Sequence, residues 1–280
     1  MPARIGRCPS RDSMQLVLAA VIWSLRGDPS SSIAFIARET DGTYGWSMGR
    51  VYRVVSPHLD DAVLSCAVFL AANPGSVVTT VFAGGPASVS PLTEWDAATR
   101  YFQDGDDVIA ERRREDRRSA ELLGAETEHL SFWDEQYRHK RYGYEGPEGA
   151  ALLAAIGNDL KRLASQQRVE SWLVPLGLGH VDHRLTALAS LDVAVTHDIQ
   201  CYVYEELPYY QELAKEVADQ IRNLGSRGLR LVEDDSLRSD DNRSLKMAAV
   251  RCHRSQLQAL GRRVRRAVRG PERIWKVEPV

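Results

Sequence analysis

The sequence has only four cysteines, and no two of them lie at a spacing typical of a disulfide framework or a thiolate metal site. Cys8, Cys66, Cys201 and Cys252 are scattered along a chain of 280 residues. A disulfide-stabilised secreted scaffold and a zinc site built from cysteine are therefore both disfavoured. We accordingly expect the protein to work in a reducing compartment, the cytoplasm.

Charge of one sign and long apolar runs are also lacking. The formal net charge is −2, so no overall field attracts nucleic acid or an anionic membrane, and we expect neither as a partner. No stretch is long enough to span a bilayer as a helix. The apolar stretch 15–23 is short and has no small-residue cleavage site behind it, so it does not predict a signal peptide.

Glycine-rich phosphate loops, internal repeats and low-complexity segments are absent as well. The composition, 44% hydrophobic and 26% charged, is typical of a globular protein, and a chain of this length can bury one substantial core. We expect one structural domain in three parts. These are an N-terminal extension over 1–50 that packs on the core, a catalytic core over 51–208, and a portion over 209–280 that completes the pocket rim.

Apolar strand patterns alternate with helical patterns over most of the chain. The predicted strands are 51–57, 77–82, 127–132, 171–176, 201–204 and 229–232. The predicted helices are 61–73, 108–123, 148–164, 184–196, 210–224 and 242–260. This alternation predicts an α/β fold, a Rossmann-like and mainly parallel sheet with helices on both faces, plus a small C-terminal α+β portion.

Three polar segments stand out from this pattern. The loop 84–107 is long, and loops of that length are usually functional in compact domains. The charge run 111–118 is best explained as a solvated helix face with ion pairs between neighbouring turns. The basic run 262–269 is likewise better explained as a solvated face than as a polyanion site.

One imidazole and two carboxylates follow the first core strand directly. The apolar run Val51–Val55 ends at Ser56-Pro57, and His58, Asp60 and Asp61 come next, at the start of a helical pattern. In open α/β sheets ligands bind at the carboxyl ends of the strands. The sequence therefore predicts a ligand site at this turn.

A second cluster of the same kind follows the predicted strand 171–176. It reads His180-Val181-Asp182-His183, and it contains two of only seven histidines in the chain. A lone histidine is more often structural than a ligand. Two clusters at strand ends of one sheet favour a shared site instead.

The residue types fit a catalytic zinc centre, which takes three ligands from histidine and carboxylate and leaves a fourth position for water. His58 and Asp61 can converge on one ion across the strand-to-helix turn, and His183 would complete the set. Asp60 and His180 then remain for proton transfer. One carboxylate and one imidazole beside a metal are what metal-assisted hydrolysis requires.

Ser-Pro-His58-Leu-Asp60-Asp61 together with His180-Val-Asp182-His183 resembles the LmbE-like/PIG-L family of metal-dependent N-deacetylases, which has a His-Pro-Asp-Asp motif and a later His-x-Asp-His. The resemblance extends from Val51 to Trp275. Its weaker parts are Arg112-x-x-Glu115, an aspartate at 134, Lys246-x-x-Ala249 and His253-Arg-Ser-Gln256.

The resemblance implies roles for each motif residue. The metal ligands would be His58, Asp61 and His183, holding Zn²⁺, with Fe²⁺ or another divalent ion as alternatives. Asp60 would be the general base that deprotonates the metal-bound water. His180, protonated, would stabilise the tetrahedral oxyanion and deliver a proton to the leaving amine.

The family also implies residues around this centre. Asp182 would orient His180, a role that such carboxylates commonly fill. Arg112 and Asp134 are candidates for binding sugar hydroxyls. The substrate would be a small N-acetyl amino sugar or a sugar-bearing metabolite, and the sequence leaves the oligomeric state open.

Two positions depart from the family motif. Leu59 replaces a proline that is not a ligand, so we expect it to be tolerated. Ala62 replaces the glutamate that usually follows the two aspartates. We interpret this as a change in support for the site or in substrate fit, with impaired catalysis as the bolder interpretation.

Two other functions compete with deacetylation. A hydratase or hydrolase acting on a small carboxylic acid would use the same metal but would need cationic anchors, and Arg100, Arg138 and Arg141 lie in loops that could supply them. A catalytically impaired sugar-binding protein would keep the metal for structure. The retention of Asp60 and His180 argues against the latter, since a structural site needs neither.

Overall fold

The computed structural model describes residues 50–138, 146–166, 169–234, 237 and 242–280, together with the backbone of four short strands before Arg50. Residues Met1–Gly49 and Arg50–Val280 form two separate compact units. The expected packing of residues 1–50 on the core therefore stays a prediction. Residues 139–145 of the aromatic and basic loop also lie outside the described part.

The N-terminal unit contains two antiparallel strand pairs. β1 (Trp23–Ser24) pairs with β2 (Ser32–Ile33), and β3 (Phe35–Thr40) pairs with β4 (Thr43–Met48). Thr40 faces Thr43 in the second pair.

The larger unit is built on a seven-stranded sheet of order β10-β11-β9-β8-β5-β6-β7. Its strands are β5 (Tyr52–Ser56), β6 (Val77–Thr80), β7 (Glu126–His129), β8 (Ser171–Pro175), β9 (Gln200–Tyr204), β10 (Leu229–Glu233) and β11 (Ile274–Pro279). β5 to β9 are parallel, whereas β10 and β11 are antiparallel to their neighbours. The predicted α/β fold with a mainly parallel sheet is confirmed.

The helices cover both faces of this sheet. They are α1 (Asp61–Ala72), α2 (Glu94–Thr99), α3 (Val108–Leu122), α4 (Pro147–Ala164), α5 (Val181–Thr196), α6 (Tyr209–Glu212), α7 (Ala214–Ser226), α8 (Arg243–Val250) and α9 (Arg254–Ala267). One apolar cluster packs α4 and α5 on the sheet, and a second packs α1 and α8. Among the described residues, no helix is both long and apolar enough to cross a membrane.

Several element boundaries differ from the predictions. The loop 84–107 contains α2, a short helix whose first turn is capped by the Thr93 hydroxyl, which accepts the Asp96 N–H at 3.1 Å. The predicted helix over 210–224 is divided into α6 and α7, and the one over 242–260 into α8 and α9. Strand β11 was missed, because a six-residue run behind a basic stretch gives only a weak alternating signal.

Helix α1 is interrupted at Cys66, and a distant carboxylate caps its second half. The backbone at Cys66 is non-helical, with φ −133°. The Glu272 carboxylate accepts the N–H groups of Val68 and Phe69 at 2.9 and 3.0 Å, and the buried Lys246 ammonium lies 2.8 Å from it. The Glu272 carboxylate therefore ties the C-terminal portion to the helix that begins with Asp61, and Lys246 balances its charge.

Replacing Lys246 with methionine should destabilise the protein by about 3 kcal/mol, because it leaves a buried carboxylate without its cation. Urea unfolding at pH 7 measures this loss. The matched control is Lys161→Met in the exposed last turn of α4, which should change the free energy of unfolding by less than about 0.5 kcal/mol. Equal effects of the two substitutions would contradict this account.

The charge run on α3 is only partly solvated, so that expectation was wrong for one face of the helix. Arg112, Glu115 and Asp116 are buried, whereas Arg114 and Arg117 are exposed. The buried charges have partners elsewhere in the chain: Asp96 for Arg112, Ser255 for Glu115 and His129 for Asp116. Long-range pairing of this kind cannot be seen in a local charge pattern.

His253 packs against the same face of α3. Its Nε2 lies 3.0 Å from the Ser119 hydroxyl, and the side chain is almost fully buried. Burial lowers the pKa of His253 to about 4, whereas an unfolded chain has a histidine pKa of about 6.5. Below pH 6.5 the unfolded state binds the proton more readily, so stability is present above that pH and is lost as the pH falls towards 4.

Because of His253, we expect the free energy of unfolding to fall by about 2 kcal/mol between pH 7.5 and pH 5. His253→Gln should remove that part of the pH dependence, even if the variant is less stable at pH 7.5. Chemical unfolding of both proteins at the two pH values measures the difference. If both lose the same stability on acidification, the assignment to His253 is wrong.

Candidate active site

Two strand ends bring the two sequence motifs together. β5 and β8 are neighbouring parallel strands, with Tyr52 opposite Ser171. Their carboxyl ends therefore lie at the same edge of the sheet. The first motif runs from β5 into α1 and the second from β8 into α5, so residues far apart in sequence converge.

Asp61 lies between two imidazole rings. Its Oδ2 is 3.1 Å from Nδ1 of His58 and 3.1 Å from Nε2 of His183. Burial disfavours its charge, but the two histidines outweigh this and hold the pKa of Asp61 well below its usual range. One atom from each residue lies within 4.8 Å of the others, which is close enough for all three to bind one ion.

Each of the two histidines has another carboxylate at its second ring nitrogen. Nε2 of His58 lies 3.2 Å from Oδ2 of Asp182. Nδ1 of His183 lies 3.3 Å from Oε1 of Glu206, although the angle is outside good hydrogen-bond geometry. Metal-binding histidines commonly have such partners, which fix the tautomer and turn the other nitrogen towards the ion.

The charges and distances of this cluster fit a divalent cation. Burial disfavours protonated imidazole, yet the carboxylates around His58 raise its pKa well above the usual value, and those around His183 raise its pKa to about 9. The pocket thus attracts positive charge at these nitrogens. The 3.1 Å separations are close to the roughly 3.4 Å between donors of a tetrahedral site with bonds of about 2.1 Å.

A second group, formed by His58, His180 and Asp182, also meets the distance requirement for a metal. Its carboxylate is already paired, because Nη2 of Arg138 lies 2.5 Å from Oδ1 of Asp182. A guanidinium at that position competes with a cation for the carboxylate. The group formed by His58, Asp61 and His183 therefore fits a metal better.

Asp60 lies at the N-cap position of α1 but makes no capping hydrogen bond, and its side chain lines the cavity. Burial raises its pKa, and the neighbouring Asp61 carboxylate raises it further, to about 7. A carboxylate with a pKa near neutral pH can accept a proton and return it.

His180 is held through both ring nitrogens. The Asp182 N–H donates to Nδ1 at 3.2 Å, so the ring proton lies on Nε2, 3.0 Å from the Glu135 carboxylate. Burial lowers the pKa of His180, and the charge of His58 lowers it further, to about 4. This favours a neutral His180, in contrast to the protonated form expected from the sequence.

Asp182 contacts His180 through its backbone rather than through its carboxylate. Oδ2 lies 4.0 Å from Nδ1 of His180 but 3.2 Å from Nε2 of His58, and it accepts the Glu135 N–H at 2.9 Å. Burial disfavours its charge, but the hydrogen bond and charge of His58 and the charge of Arg138 lower its pKa to about 2. The carboxylate expected to orient His180 is therefore placed to orient His58.

Arg112 and Asp134 both line the cavity, and both have partners within the protein. Nη2 of Arg112 lies 2.5 Å from the fully buried Asp96 carboxylate. Asp134 accepts the backbone N–H of Gln136 at 3.2 Å and its side-chain amide at 2.9 Å. Their contact with substrate stays a prediction, and the charge of Arg112 is already balanced by Asp96.

The two departures from the family motif lie outside the donor set. Ala62 is almost fully buried in an apolar cluster, and its N–H donates to the Ser56 hydroxyl at 3.0 Å. Leu59 lines the cavity without contributing a ligand atom. Neither position removes a ligand or the carboxylate of Asp60.

The site opens into a cavity of about 230 Å³. Its polar wall includes the first motif, His180 of the second motif and the segment Asp134–Gln136. Apolar side chains complete it: Leu64, Phe82, Trp95, Ile109, Leu207, Pro208, Tyr209 and Leu260. Among the described residues that line it, the only arginine or lysine is Arg112.

Sequence reasoning missed three residues that surround the centre. Glu206 lies next to Nδ1 of His183, and Glu135 lies next to Nε2 of His180. Tyr209 packs its ring at 5.3 Å, nearly perpendicular, on His183 and lies close against Gly179, where an added Cβ would be 2.3 Å from the ring. Glu206 follows β9 directly, so the rule applied to His58 could have found it.

The fold and site together define an α/β protein with a Rossmann-like, mainly parallel sheet and a candidate metal centre at the carboxyl edge of that sheet. The family PIG-L, described as GlcNAc-PI de-N-acetylase, matches residues 53–194. This is half of the chain, which therefore belongs to the PIG-L family and is an N-deacetylase.

Individual relatives agree with this assignment. A 2'-N-acetylparomamine deacetylase of Niallia circulans is 28% identical and is aligned over 75% of this chain and 82% of its own length. A deacetylase from teicoplanin biosynthesis, solved as a "bog" complex, superposes with a TM-score of 0.64 at 23% identity, over 82% of this chain and 98% of its own. The zinc-inhibited form of teicoplanin deacetylase Orf2 superposes with a TM-score of 0.62 at 23% sequence identity, over the same shares of the two chains.

Proposed function

We propose that this protein hydrolyses the N-acetyl group of an amino sugar carried by a small glycoside, using a divalent metal ion, most simply Zn²⁺. The observation that carries the proposal is the position of Asp60. It lines the cavity beside a His₂Asp ligand set, and its carboxylate makes no capping hydrogen bond to α1. One relative deacetylates 2'-N-acetylparomamine and another is a deacetylase of teicoplanin biosynthesis, which supports a glycoside as the substrate.

The metal would be held by His58, Asp61 and His183. Bound there, it would polarise the amide carbonyl and make water a better nucleophile at neutral pH. Asp182 and Glu206 would hold the two histidines in the tautomers that this binding needs.

Asp60 would accept the proton of the attacking water. Burial raises its pKa, which favours a carboxyl group that takes up this proton and returns it. His180 would be neutral and would carry its proton on Nε2. It would donate this hydrogen bond to the oxyanion in place of the Glu135 carboxylate, which lies 3.0 Å from Nε2. A neutral His180 has only this one proton. Asp60, protonated after it accepts the proton of the attacking water, is therefore the better donor to the leaving amine.

The competing function on a small carboxylic acid has less support. Such a substrate needs a cation near the metal. Arg138 is paired with Asp182, and Arg112 is paired with Asp96. Arg100 is exposed and lies outside the cavity lining, and Arg141 lies outside the described residues.

Incubation with methyl N-acetyl-β-D-glucosaminide and a divalent metal tests the proposal. Proton NMR should show acetate and a new primary amine in equal amounts. An unsaturated dicarboxylic acid is the control substrate and should be recovered unchanged. Loss of the acid's double bond without acetate release from the glycoside would establish the competing function instead.

A further inference from the structure

Trp95 presents an aromatic surface inside the catalytic cavity, and no part of the proposed mechanism uses it. It lies on α2, within the loop that sequence analysis marked as functional. It lines the cavity and is 38% exposed. Tryptophan has the largest apolar surface of any side chain, and stacking against other rings adds to the gain from burying that surface.

A chain of hydrogen bonds holds this indole in place. Its Nε1–H donates to Oε1 of the buried Gln256 at 3.0 Å, and the Gln256 amide donates to the Ser255 hydroxyl at 3.1 Å. That hydroxyl donates to the buried Glu115 carboxylate at 2.6 Å, and the Ser255 N–H donates to the same group at 2.9 Å. The polar edge of the indole is therefore satisfied within the protein, which leaves its face for a ligand.

Two apolar side chains line the same cavity as Trp95 and make it suitable for a ligand ring. Ile109 and Leu260 line the same cavity, and neither carries a polar group. The indole of Trp95 is held in one orientation before the ligand arrives. Ligand binding therefore costs little conformational entropy at this side chain, because the indole was already ordered when the protein folded. A sugar or aromatic ring has the flat apolar surface that such a wall accepts.

We propose that Trp95 is a specificity-determining residue, which stacks on the ring attached to the acetylated sugar. This inference rests on the proposed function and names the residue that selects its substrate. Gln256 is a positioning residue, since it acts on the substrate through the indole that it holds.

Activity on two glycosides that differ in one ring tests the proposal. Trp95→Ala should raise KM for phenyl N-acetyl-β-D-glucosaminide about tenfold. For the methyl glycoside KM should rise less than about threefold, with kcat little changed for both, because stacking is the same in the bound substrate and the transition state. Trp95→Phe should recover part of the loss. Equal changes for the two glycosides would overturn the proposal.

Gln256→Leu separates positioning from simple packing. It removes the acceptor for the indole N–H, so KM for the phenyl glycoside should rise, by less than in Trp95→Ala. Tryptophan fluorescence should also shift in this variant but not when Gln256→Leu is made in the Trp95→Phe background. An unchanged spectrum would contradict the assigned role of Gln256.

Binding without turnover distinguishes this inference from the proposed function. Phenyl β-D-glucosaminide has no acetyl group, and it should change the tryptophan fluorescence of the metal-loaded protein. Trp95→Phe should abolish that change. Trp133→Phe should retain it, because Trp133 has a similar exposure (43% against 38%) but lies outside the cavity lining. Absence of binding, or binding unaffected by Trp95→Phe, refutes the inference; binding through Trp95 without acetate release refutes only the proposed function.

Discussion

Replacing Asp60 with asparagine should reduce acetate release about 10³-fold while leaving metal binding intact. General base catalysis contributes roughly 10²–10⁴-fold, and an amide cannot accept the proton of the attacking water. The substitution should cost little stability, because the Asp60 side chain makes no capping hydrogen bond on α1. The fall should therefore appear in kcat rather than in the amount of folded protein.

Acetate release and metal content, measured on the same preparation, check this prediction. Asp198→Asn is the matched control: Asp198 is exposed and has a positive φ of 53°, a conformation that asparagine tolerates well. The control should keep full activity. A variant Asp60→Asn that loses its metal, or that works at more than a tenth of the normal rate, would show that Asp60 has another role.

Replacing His183 with alanine should abolish both metal binding and activity. The imidazole is one of three proposed ligands and is almost fully buried beside Asp61. Loss of metal catalysis removes several kcal/mol of transition-state stabilisation. The rate of acetate release should therefore fall by at least about 10³-fold.

A second histidine on the same helix provides the control. His197 is exposed at the carboxyl end of α5, and His197→Ala should keep one metal ion per chain. Circular dichroism verifies that both variants fold. If His183→Ala still binds one equivalent of metal and releases acetate, the proposed ligand set is wrong.

Parallel pairing explains why the fold and half of the site were accessible from sequence. The strand patterns of β5 and β8 predict a parallel sheet, and such a sheet places its carboxyl ends at one edge. His58 and His183 could therefore be assigned to one site although more than a hundred residues separate them. Their residue types, together with Asp61, then pointed to a metal.

The surroundings of that site could not be predicted in the same way. Glu135 and Glu206 each belong to a pair of consecutive acidic residues, Asp134-Glu135 and Glu205-Glu206, and the sequence does not show which member of a pair faces the site. Their importance depends on which imidazole nitrogen each one faces, which only three-dimensional packing determines. The same holds for Asp182, whose carboxylate lies behind His58 although the sequence places it next to His180.

Two other wrong predictions, one on solvent exposure and one on a helix boundary, have a similar origin. The buried face of α3 looked solvated because Arg112, Glu115 and Asp116 find their partners elsewhere in the chain. The break between α8 and α9 occurs at Cys252-His253, where the His253 ring turns towards Ser119 on α3. Helical patterning continues across this point, so tertiary contact overrides a local preference.

Metal titration of the stripped protein tests the central claim most directly. After chelation the chain should release no acetate from an N-acetyl glycoside. Zn²⁺, Fe²⁺, Co²⁺ or Mn²⁺ is then added in steps, with metal content and acetate release measured at each step. The account predicts that activity returns in proportion to bound metal and reaches its maximum at one ion per chain. Full activity in the metal-free protein, or a bound equivalent of every metal without any acetate release, would contradict it.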